Sequence, residues 1–113
     1  MFYKSTRNSE VKISSAEAIV QGISNDGGLF VPYEIPSISM DEIVSLGDMS
    51  YAERAAYVFK KFLTDFTDAE LKYCTESAYN DKSFATANIA EISHLFEGTY
   101  VLELWHGPTC AFK

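Results

Sequence analysis

At 113 residues, with 47% apolar and 14% aromatic side chains, the chain is long enough for one small domain with an adequate core. Nine basic against sixteen acidic residues give a net charge of −7, and Lys4, Arg7 and Lys12 are too sparse for the basic face that a nucleic-acid backbone demands. No apolar run reaches the ~20 residues of a membrane helix and no secretory segment is present, so Cys74 and Cys110 read as reduced thiols of a cytoplasmic protein.

In chain order, the opening "MFY" and the alternating "VKI" (Val11 to Ile13) are expected to pair as strands. Ser14 and Glu17 then form a capping box, in which a hydroxyl and a carboxylate three residues apart satisfy free amides at a helix start. Behind it, Ala16, Ile19, Val20 and Ile23 recur at helical spacing. "NDGGLFVP" joins a turn, Asn25 to Gly28, to a short strand closed by Pro32. Further capping boxes at Ser39–Glu42, Ser50–Glu53 and Thr67–Glu70 predict three more helices. The second of the four stops near Gly47 and carries Met40, Ile43, Val44 and Leu46. The third presents Tyr51, Ala55, Val58, Phe59, Phe62 and Phe66, read as core, and the fourth groups Leu71, Cys74 and Ala78.

Asn80 to Asn88 is polar and reads as a link. Beyond Gly98, the run Tyr100 to Trp105 carries a single charge, Glu103. Such a run predicts a strand buried on both faces, as in a parallel sheet under helices, although no parallel neighbour is evident. The expected fold class is α+β: a helix-rich front domain with a small sheet, 1–88, followed at 89–113 by the first strand of an α/β domain.

The chemistry gathers at "LWHGPTCAFK". A strand feeding a Gly107-Pro108 turn places a side chain at the carboxyl end of a sheet, where α/β proteins bind ligands. A partly desolvated amine there has a lowered pKa and can attack a carbonyl to form an imine. Lys113 is the candidate, against the plainer reading of a surface lysine at a chain end. His106 and Cys110, four apart, do not make a zinc site, since Cys74 and His94 lie in unrelated segments. Cys110 reads as a packing residue and not as a nucleophile. "NDGG" lacks the strand–loop–helix setting of a phosphate loop and reads as a turn.

The run His106, Gly107, Pro108, Thr109, Ala111, Phe112, Lys113 resembles the "HGPT-x-AFK" segment of threonine synthases. "YKSTRN" is similar to that family's "Y-x-STRG", with Asn8 in place of glycine, and "EAIVQGISNDGGLFVP" resembles its "A-x-x-x-GL-x-x-DGGLFVP" stretch. The matches keep the family's order and span nearly the whole chain.

The resemblance implies a tryptophan synthase β-like catalytic domain and a Schiff base between Lys113 and pyridoxal 5'-phosphate. It implies conversion of O-phospho-L-homoserine and water to L-threonine and phosphate. It makes Arg7 a candidate for the substrate phosphate, or else a tethering arginine, and His106 and Thr109 candidates for cofactor or substrate contact. The family's two α/β lobes, with the glycine-rich loop for the cofactor phosphate, do not follow Lys113. The expectation is therefore an inactive fragment, whose partner is the remainder of its own catalytic domain. The alternative is a stand-alone acidic helical module that binds another protein.

Overall fold

The computed structural model describes residues 1–110, and its first sheet is assembled from the three segments expected to be strands. β1 (Phe2–Ser5) lies between β2 (Ile13–Ser14) and β3 (Phe30–Pro32). Both pairings are antiparallel, with Tyr3 opposite Ile13 on one side and Pro32 on the other. Pro32 has no amide to donate, and an edge strand is where that lack is tolerated. The strand expected at Val11–Ile13 slides toward Ser14, which pairs with Phe2 and also caps the helix that follows.

All four capping boxes form. They open α1 (Ser15–Gln21), α2 (Met40–Ser45), α3 (Tyr51–Phe62) and α4 (Asp68–Ala78). In each, the N-cap hydroxyl accepts from the amide three residues on, and the glutamate there accepts from the N-cap amide. A 3-10 turn, Leu46–Asp48, joins α2 to α3. The α3–α4 pair packs around Ala52, Leu71 and Thr75, all buried. Tyr57, Lys61 and Glu42 tie α2 to α3, with Lys61 Nζ 2.8 Å from Glu42 Oε1.

Which helix faces are buried differs from the periodic expectation. On α1, Ser15 and Ala18 are buried while Ile19 and Val20 are exposed, as is Ile23 just beyond the helix. The cause is Asp65, in the loop after α3. It accepts from the Ser15 hydroxyl and, at 2.9 Å, from the Ala16 amide, fixing which side of α1 faces inward. On α4, Thr75 is buried and Cys74 and Ala78 are exposed. Thr75 can occupy the interior because its hydroxyl donates to the Lys72 carbonyl at 3.1 Å.

The last strand corrects the expectation most. β4 (Glu91–Phe96) and β5 (Thr99–Glu103) form an antiparallel hairpin, with Gly98 turning at φ +73° and a bulge between His94 and Phe96. β5 is not buried on both faces: Tyr100, Leu102 and Leu104 are exposed, while Thr99, Val101 and Glu103 are half-buried. Its partner is the neighbouring "EISHLF", so it alternates as one-sided antiparallel strands do. The link is also ordered. Asn80 Oδ1 accepts from the Lys82 and Ser83 amides, and the rings of Tyr51, Tyr79 and Phe84 step from α3 through α4 toward the hairpin. The described residues make a small α+β fold with four helices and two small sheets.

Candidate functional site

The turn after β5 is held from three directions. Inside the hairpin, Glu103 points to the half-buried side of β5. One carboxylate oxygen accepts from the Ser93 hydroxyl, and the other lies 2.6 Å from His106 Nε2. The His106 and Glu103 side chains keep only 17% and 18% of their surface in contact with solvent. The Ser93 hydroxyl, followed by the imidazole, holds the Glu103 carboxyl below the usual carboxylate range. Behind the turn, the His106 carbonyl accepts from the Ala85 amide at 2.9 Å. Below it, Phe84 lies so close that a Cβ on Gly107 would meet its ring at 2.6 Å. The turn closes with Cys110 donating its amide to the Gly107 carbonyl at 3.0 Å.

This arrangement sorts the candidates. His106 is the one drawn into a polar network; Thr109 is exposed beside it. Cys110 is exposed at φ +47° and is not the packing residue expected. Lys113 lies outside the described residues. Ser93, Glu103 and His106 do not form a nucleophilic triad, because the serine and the imidazole address separate oxygens of one carboxylate. A serine nucleophile needs the imidazole as its own base. Among the described residues, no three His, Cys, Asp or Glu side chains gather as metal ligands.

Arg7 belongs to a second cluster at the start of β3. Its backbone amide donates to Ser5 Oγ at 3.1 Å, and one guanidinium nitrogen donates to the Asp26 carbonyl at 3.1 Å. The Asp26 carboxylate accepts from the Gly28 amide and the Ser5 hydroxyl, both at 2.8 Å. Those two bonds, in that order, hold the Asp26 carboxyl below its ordinary value. The Gly27 amide is committed to the Ser24 carbonyl at 2.8 Å. "NDGG" is therefore a closed turn with those two glycine amides already used, and it supports Arg7 instead of cradling a phosphate. The guanidinium remains exposed. Among the described residues, no hydrogen bond or ion pair joins it to His106 or Thr109.

Sequence reasoning missed Ser93, Glu103 and the clamp at Phe84–Ala85. A signal for Glu103 existed, as the lone charge in an apolar run, three residues before a histidine. Ser93 carried none, since its role depends on the register that sets it opposite Val101.

The family described as Threonine synthase N terminus matches residues 2–79. Human threonine synthase-like 1 is 40% identical over 110 residues, covering 92% of this chain and 15% of that protein. Threonine synthase from Pseudomonas aeruginosa is 36% identical over 114 residues, covering 100% of this chain and 24% of that protein. Among solved structures, PLP-bound threonine synthase from Brucella melitensis superposes with a TM-score of 0.88 at 32% identity. That likeness covers 99% of this chain and 24% of the other. The chain thus spans between 15% and 24% of the length of these relatives.

Proposed function

This chain belongs to the threonine synthase family through its N-terminal region, and on that premise we propose that it forms the front of a cytoplasmic, pyridoxal-phosphate-dependent lyase. The enzyme converts O-phospho-L-homoserine and water to L-threonine and phosphate. Residues 1–88 are its N-terminal domain. Residues 89–113 begin the catalytic domain, with β5 preceding the His106–Lys113 run.

Pyridoxal 5'-phosphate, when bound, supplies a ring that takes up the negative charge developed at the substrate's carbons. The chain's own residues do the rest that falls to this region. Lys113 tethers the cofactor and, once released, moves protons at the substrate's α and β carbons. The Arg7 guanidinium takes the substrate phosphate in a charge-assisted, two-pronged contact. His106 and Thr109 orient the amino-acid end. Among the described residues, the Gly27 and Gly28 amides are already committed to Ser24 and Asp26 and do not cradle the cofactor phosphate. The donors for the cofactor phosphate and the partner of its pyridine nitrogen therefore belong to the remainder of the catalytic domain.

What carries this reading is the sequence run His106 to Lys113, whose described part, His106 to Cys110, forms a turn held on three sides. In the full-length enzyme, borohydride reduction with pyridoxal phosphate, followed by peptide mapping, is expected to label Lys113. Lys113→Ala should lose both the label and phosphate release. Labelling of a different side chain would overturn the assignment. The 113-residue chain alone is expected to release no phosphate from O-phospho-L-homoserine.

A further inference from the structure

Resting on the reading of Lys113 as the cofactor lysine, we propose that Glu103, braced by Ser93, is a positioning residue for the turn that leads to it. Glu103 fixes the His106 ring, and through it the Gly107–Cys110 backbone.

Three observations converge. A carboxylate only accepts, so at 2.6 Å the imidazole nitrogen facing Glu103 must carry the proton. That settles which ring nitrogen is the donor, and leaves Nδ1, on the other side of the ring, facing away from the carboxylate. The Ser93 hydroxyl occupies the other carboxylate oxygen, which removes the freedom of Glu103 to rotate away. The main chain of the same histidine is caught separately, by Ala85 N–H on its carbonyl and by the Phe84 ring against the next residue. Ring and backbone of His106 are therefore fixed by two different segments, β5 and the link. The intervening Leu104–Trp105 step has little freedom left.

A site that must hold an amine within a few tenths of an ångström of its working position gains from such bracing of the turn before it. Each Glu103 oxygen already has a partner within the hairpin and turn, Ser93 on one and His106 on the other. Glu103 acts through His106.

The full-length enzyme tests this by proton NMR of its imidazoles and by amide exchange. The wild type is expected to show a slowly exchanging imidazole N–H, downfield of the amide envelope. Glu103→Ala should lose that signal, with exchange at Ala85 and Cys110 rising about tenfold or more as the turn opens locally. Glu103→Gln, which keeps a neutral acceptor of the same shape, should retain the proton but move it upfield. A structural packing role alone would not produce that shift. Ser93→Ala, the milder variant, should keep the signal while exchange at Ala85 rises less than in Glu103→Ala. Unchanged protection at Leu71 and Thr75, in α4, shows that each variant is folded. Absence of the downfield proton from the wild type would overturn the proposal. So would Glu103→Ala leaving Ala85 and Cys110 exchange unchanged. Lysine trapping is a separate readout: its failure removes the cofactor assignment while this contact stands or falls on the NMR.

Discussion

At the scale of single residues, the tightest point in the front half is Gly28. A Cβ there would fall 2.1 Å from Ser5 Oγ and 3.0 Å from Asp26 Oδ1. The Ser5–Asp26 bond would have to break, or β1 would have to move. Gly28→Ala is expected to lower stability by roughly 1–3 kcal/mol, the usual cost of inserting volume where nothing can yield. Gly47→Ala is the control, because its Cβ meets nothing within 4 Å. Urea unfolding should separate the two, and equal midpoints would disprove the steric argument. A sequence shows that a glycine is present but not which atom crowds it. Ile89 makes the same point from the other direction. It is buried at 5% exposure with φ +66°, a conformation that β-branched residues avoid. The Ile89 and Ala90 amides, donating to Thr86 and Asn88 carbonyls, hold it there. Nothing in the sequence marks that strain, because it is imposed by where the link must deliver β4.

Among the elements, α2 has the strongest electrostatic anchor. Lys61 above all, then the Ser39 amide and the Tyr57 hydroxyl, hold the Glu42 carboxyl far below its ordinary value. A carboxylate whose pKa is lower folded than unfolded contributes stability above its unfolded value, near 4.3, and loses it as pH falls toward the folded value. The wild type's urea midpoint should therefore fall on acidification below about pH 4.5. Glu42→Gln should be less stable than the wild type at pH 7 and respond less to acid between pH 4.5 and 2.5. Parallel curves for the two proteins would remove Glu42 from the account. The four helix starts were legible because a capping box is a local bargain between residues three apart. The buried faces of α1 and α4 were legible only in part: Leu71 is buried as its spacing suggests, but Asp65 reaches α1 from the loop after α3, and Thr75 enters the interior with its hydroxyl satisfied by the Lys72 carbonyl. The site divides in the same way. Its local run, His106 to Thr109, could be read directly, while Ser93 and Phe84 enter only through hairpin register and aromatic stacking.

For the whole molecule, size and surface disagree with the fold of a self-sufficient domain. The radius of gyration is 16.5 Å, against about 13 Å expected of a compact chain of this length. The accessible surface is 8228 Å², where a folded monomer of this mass exposes roughly 6,200 Å². Part of the exposed surface is a run of apolar side chains at the hairpin end: Ile92, Phe96, Tyr100 and Leu102 on the hairpin, and Leu104 and Trp105 just after it, are all more than half exposed. A two-stranded sheet also has two open edges, each offering unpaired amides and carbonyls to another strand. In the proposed enzyme this face is covered by the remainder of the catalytic domain. In the isolated chain it is expected to drive self-association, opposed at low ionic strength by the net charge of −7. Screening weakens that repulsion without weakening apolar contact, so association should grow with salt. Ile92 and Leu102 are direct cross-strand partners. Ile92→Glu combined with Leu102→Lys places opposite charges side by side on the open face and should preserve the hairpin. Sedimentation velocity is expected to show concentration-dependent oligomers for the wild type, larger at high salt, and a monomer for the double variant with unchanged helical circular dichroism. A wild type that stays monomeric at high concentration and high salt would mean that this face does not need a cover.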